Sequence, residues 1–182
     1  MIKENQKYFN ALHVVLDALV VLLSFRIGYF IRFTIFAPPK NTYFALFSYY
    51  YKSLILIVPL YLLLYLIFHL YAPKRFLSRR YELMNIIKAN TVGFLIIILI
   101  VYGLNFTNFS KWLLVFYTMT NIVLTFIIRN VIRKWLNITR RHGKNLKHVI
   151  IIGFSPAATS YIDRLKLNPQ WGYRIHGIFD DN

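Results

Sequence analysis

The chain has 182 residues, 58% of them hydrophobic and 18% aromatic, with a mean hydropathy of +0.50, more apolar than a soluble domain of this size requires. Its net charge of +16 comes from 22 basic and 6 acidic residues. Those bases stand beside apolar runs, where lipid headgroups and the positive-inside rule account for them, which argues against a nucleic-acid partner. Cysteine is absent, so disulfides, thiolate catalysis and cysteine metal sites are excluded.

Four apolar runs, residues 12–35, 54–71, 89–104 and 112–128, predict transmembrane helices, each near the length that crosses a bilayer. Tyr49, Tyr50, Tyr51, Tyr71, Trp112 and Trp135 gather near their ends, as an interfacial belt requires. Asp17 and Arg26 interrupt the first run and no small-residue cleavage pattern follows it, so it reads as a retained helix, not a signal peptide.

The bases set the orientation. Lys3 and Lys7 precede the first run; Lys74, Arg75, Arg79, Arg80 and Lys88 follow the second; Arg129, Arg133, Lys134, Arg140, Arg141, Lys144 and Lys147 follow the fourth. The other two connections hold Lys40, Lys52 and Lys111. Fourteen bases against three predict both termini in the cytoplasm with two hairpins between them.

Arg26, well inside the first run, either faces the other helices or a lipid phosphate, or snorkels outward with Arg32. His13 and Asp17 are four apart and share a face, which fits a hydrogen-bonded pair. Pro59 predicts a kink or a relaxed turn in the second helix, and His69 reads as a structural group near its inner end. No acidic pair has the spacing of a proton relay or a metal site, so a transport pathway is poorly supported and the helices read as an anchor.

Lys74, Arg75, Arg79 and Arg80, with Arg129, Arg133, Arg140 and Arg141, form a basic collar. It holds the loops inside by topology alone, or it also gathers anionic headgroups, including a lipid phosphate used as substrate. Residues 1–138 form the predicted membrane domain, 139–146 a polar linker, and 147–182 the start of a second domain.

That second domain opens as a predicted strand ending on Gly153, a helix over 156–167, and a strand over 173–179 followed by Asp180 and Asp181. Strand, glycine turn, helix, strand and acid make the first βαβ unit of a Rossmann-like α/β domain. One such unit cannot bury both faces of a sheet, so further strands are expected beyond Asn182. In the dinucleotide fingerprint Gly153 matches the tight turn, Ser155 stands where the second glycine belongs, and Ala158 is a tolerated third position. Gly153, Ser155, Ala158 and Asp180 are the candidate cofactor-binding residues. Equally, Gly153 makes only the turn and Asp180 only closes the strand.

The run Lys144-Asn-Leu-Lys-His-Val-Ile-Ile-Ile-Gly153, and Asn168-Pro-Gln-Trp-Gly172 through Asp181, resemble bacterial polyprenyl-phosphate sugar-1-phosphate transferases of the large type. These include the undecaprenyl-phosphate glucose phosphotransferases of exopolysaccharide synthesis. Leu70-Tyr-Ala-Pro-Lys-Arg75, Arg79-Arg80-Tyr-Glu82 and Ile87-Lys-Ala-Asn90 are similar to theirs as well. The resemblance implies a multi-pass protein of the bacterial inner membrane whose further, C-terminal domain uses an Asp-Glu pair and Mg²⁺. That domain would move a sugar-1-phosphate from a UDP-sugar to undecaprenyl phosphate. None of it lies in these residues, so no catalytic residue and no cofactor is assigned to this chain, and the fragment is expected to be inactive alone. Membrane-bound NAD-dependent nucleotide-sugar dehydratases share the layout, and a non-catalytic scaffold is a third alternative. A homo-oligomer is also compatible with the sequence.

Overall fold

The computed structural model describes residues 2–36, 43–71, 78–103, 110–143, 146–153 and 155–179. The chain divides into two compact units, Met1–Ile127 and Ile128–Asn182.

In the first unit, helix α1 (Ile2–Phe30) runs on as a π-helical segment, Ile31–Phe36, followed by α2 (Tyr43–Ile67) and α3 (Arg79–Gly103). The boundary between the units falls within the residues of helix α4 (Lys111–Arg141). Each of the four has a stretch long and apolar enough to cross a membrane. The four apolar runs of the sequence all fall on these helices, but the ends differ. Helix α2 stops at Ile67, where His69 takes a left-handed conformation (φ 54°). The amides of His69 and Leu70 then return to the carbonyls of Leu66 (3.1 Å) and Tyr65 (2.9 Å), a Schellman end with Leu70 buried behind it. His69 therefore serves as a helix stop. Helix α3 starts ten residues before its apolar run because Ser78 caps it, its Oγ accepting the Tyr81 amide at 3.2 Å. Pro59 lies within α2 and is exposed.

The interior of this unit is aromatic. Tyr50, Tyr61, Tyr65 and Tyr117 are fully buried with Val21, Ile57, Ile86 and Leu113. Gly28 lets α1 close onto α4, since a Cβ there would sit 2.8 Å from the Tyr117 backbone nitrogen. That approach sets Phe25 edge-on to Tyr117 with ring centroids 5.7 Å apart. Large aliphatic side chains point the other way, with Ile55 82% and Leu95 53% exposed. Arg26 is exposed and not turned into the bundle. Arg32 lies over the Phe33 ring and donates from Nε to Ser110 Oγ at 3.2 Å. Asp17 is buried and His13 half-buried.

In the second unit, strand β1 (Lys147–Ile152), helix α5 (Pro156–Leu167), a 3₁₀ turn (Pro169–Trp171) and strand β2 (Tyr173–Phe179) follow α4. The strands pair in parallel, Lys147 opposite Tyr173, with a bulge that passes over His176 between Val149↔Ile175 and Ile150↔Gly177. The sheet has these two strands. Along β1, half-buried Val149 and Ile151 alternate with exposed His148, Ile150 and Ile152. Helix α4 reaches Arg141 and so takes up the first residues of the predicted linker.

Candidate functional site

At the turn after β1, Gly153 has φ +84°, a conformation that favours glycine, and its amide bonds the Phe179 carbonyl at 2.8 Å. A Cβ there would meet open space, so the requirement is conformational and not one of close packing. Ser155 follows in an extended conformation as the N-cap of α5, its Oγ accepting the Ala158 amide at 3.2 Å. Pro156 occupies the first helical position, where no N–H is needed. Of the amides that a phosphate at this helix start would seek, Pro156 has none and that of Ala158 is already taken. Gly153, Ser155 and Ala158 are thus brought together as the sequence anticipates, and their geometry is that of a self-capped helix start. Asp180, the fourth candidate, lies outside the described residues.

A second element closes against α4. Gly172 is buried in the left-handed region at φ +69°, and a Cβ on it would lie 2.8 Å from Arg140 Cδ. Its carbonyl accepts the Lys147 amide at 2.7 Å, so the start of β1, the residue before β2 and the Arg140 stem meet at one glycine.

The collar separates by helix face. At 100° per residue, Arg129, Arg133 and Arg140 fall within an arc of about 40° on α4. Arg129 is buried, while Arg133 and Arg140 are half-buried. Lys134 and Arg141 lie on the opposite half and are exposed, as are Arg79 and Arg80 in the first turn of α3. Lys74 and Arg75 lie outside the described residues.

Sequence reasoning missed a buried polar node. Asn121 Nδ2 donates to Asn90 Oδ1 at 2.7 Å and to Tyr65 Oη at 2.9 Å. Asn90 Nδ2 donates to the Ile86 carbonyl at 2.9 Å, and the Tyr65 and Thr125 hydroxyls stand 3.3 Å apart. All four residues are fully buried. The node ties α2, α3 and α4 together, and its neutral amides and hydroxyls offer hydrogen bonding but no acid or base near neutral pH. Its signal was visible: two asparagines inside apolar runs, where polar side chains bind helices together. Among the described residues no three His, Cys, Asp or Glu side chains gather to hold a metal ion.

A family model described as a CoA-binding domain matches residues 66–182, more than half of the chain. The chain belongs to the CoA-binding domain family. That domain is found in members of the sugar transferase family. In this chain the CoA-binding domain match takes in α3, α4 and the whole βαβ segment, so it covers the glycine turn, the Arg140–Gly172 contact and two of the helices joined by the polar node. Comparison with curated proteins and with solved structures finds no match.

Proposed function

We infer that this chain is the membrane anchor of a sugar transferase: the N-terminal part of a protein that moves a sugar-1-phosphate from a UDP-sugar to undecaprenyl phosphate. The observation that carries this reading is the union in one chain of four apolar helices with a domain found in sugar transferase family members. The helices would hold the catalytic part at the cytoplasmic face of the bacterial inner membrane, beside a substrate confined to that surface. The inside-out bundle supports membrane burial: aliphatic side chains outside and hydrogen-bonded asparagine and tyrosine inside suit hydrocarbon better than water. The excess of bases before the first helix, between the second and third, and after the fourth supports cytoplasmic termini.

The family description names coenzyme A, and a diphosphate of that ligand would need the amides at the start of α5. Pro156 and the Ser155–Ala158 bond leave that cradle poorly equipped, so the residues present do not fit a diphosphate at this turn.

Membranes carrying the complete reading frame should transfer radiolabelled sugar phosphate to undecaprenyl phosphate, and membranes carrying residues 1–182 alone should not. Transfer by the short chain would overturn the anchor reading. Reporter fusions after Lys111 should be active outside the cell and fusions after Lys147 inside; the reverse pattern would overturn the orientation.

A further inference from the structure

The second half of α4 inverts the usual amphipathic order. Arg129 is buried, Arg133 half-buried and Arg140 packed on Gly172, while Val131 (60%), Trp135 (56%) and Ile138 (48%) stay exposed. Val131, Lys134, Trp135, Ile138, Arg141 and His142 fall within an arc of about 120°, and every one of them is exposed. A helix in water would place the aliphatics inside and the guanidinium groups outside. We propose that this face of α4 seats in the anionic headgroup layer of the bilayer, with Trp135 as its interfacial anchor. Lys134 and Arg141 on the flank would contact phospholipid phosphates. The proposal rests on the membrane reading above and sharpens it, because it takes Arg129 and Arg140 out of the lipid contact, keeps Arg141 and adds Lys134.

Three observations select lipid as the occupant. Met119, Val123 and Ile127 are exposed as well, so the helix that carries the stripe has the exposed apolar side chains of a candidate membrane span. Trp112 and Trp135 are 23 residues apart in the sequence of one helix, about 35 Å at helical rise, slightly more than the hydrocarbon thickness of about 30 Å, the spacing that a pair of interfacial indoles requires. Helix α4 contains no acidic residue, so its exposed charge complements an anionic surface, which the headgroup layer supplies next to an apolar span.

The test uses the full chain in nanodiscs with Trp171→Phe throughout. Adding Trp112→Phe leaves Trp135 as the only reporter, and adding Trp135→Phe leaves Trp112. Both reporters should be quenched by lipids brominated near the headgroup. Trp135 quenching should rise when phosphatidylglycerol replaces part of the phosphatidylcholine, and Lys134→Glu with Arg141→Glu should cut that rise by about half or more. If Trp112 is quenched while Trp135 emits as in water, the headgroup contact is wrong and the membrane reading stands. If Trp135 is blue-shifted but unquenched, a protein surface covers this face and the proposal is overturned. If neither is quenched, the membrane reading falls with it.

Discussion

Ser155 and Gly172 each hold one turn, and the chemistry of a single atom decides what each turn can do. The Ser155 hydroxyl satisfies the Ala158 amide, so Ser155→Ala should cost about 1 kcal/mol locally and raise hydrogen exchange at Ala158. Ser155→Gly costs only a few tenths by the same measure but frees the amide. A diphosphate should then move the Ala158 amide resonance in the variant and leave it still in the parent. Gly172 is constrained twice, by φ +69° and by the Arg140 stem. Gly172→Ala should destabilise the second unit by more than about 1 kcal/mol. Pairing it with Arg140→Ala should recover the steric part and leave the conformational part, so the two losses should not add.

Helices α2, α3 and α4 are joined through Asn121, whose amide donates to two acceptors at once. Asn121→Leu should cost about 1–2 kcal/mol, because Asn90 Oδ1 loses its donor inside an apolar bundle and Tyr65 Oη keeps only the longer contacts with Asn90 Nδ2 (3.4 Å) and Thr125 (3.3 Å). Thr125→Val should cost less, since its contact with Tyr65 is already long at 3.3 Å. Thermal unfolding in detergent would rank the two, and equal losses would mean that the node is looser than its geometry implies. At this scale the sequence was informative wherever glycine, proline or a long apolar run punctuates it. Strand β2 runs over 173–179 and α5 over 156–167 as anticipated, and the apolar runs mark all four long helices. Their ends were hidden because arginine and lysine continue a helix well while ending a hydropathy window. Thus Arg79 and Arg80 begin α3, and Arg129 through Arg141 extend α4. The collar read as one feature because charge was counted along the chain, whereas α4 sorts it around an axis, Arg129 inward and Arg141 outward. The asparagine node required knowing which helices meet, which no local pattern in one helix supplies.

The solvent around the first unit can be read from the sign of a surface substitution. Ile55 and Leu95 are exposed near the middles of α2 and α3, away from the buried tyrosines and asparagines. In water, a lysine at either position would be close to neutral for stability and would improve solubility by breaking an apolar patch. In hydrocarbon, the same lysine costs about 2.5–3.5 kcal/mol at a helix centre, enough to shift an insertion equilibrium roughly 100-fold. Ile55→Lys and Leu95→Lys should therefore reduce the carbonate-resistant membrane fraction sharply. Tyr81→Lys, at an exposed position in the first turns of α3 beside Arg79 and Arg80, should leave that fraction unchanged. If all three variants stay in the membrane fraction to the same extent, the outer faces of α2 and α3 do not meet lipid. The inside-out arrangement would then require a protein partner wrapped around the bundle.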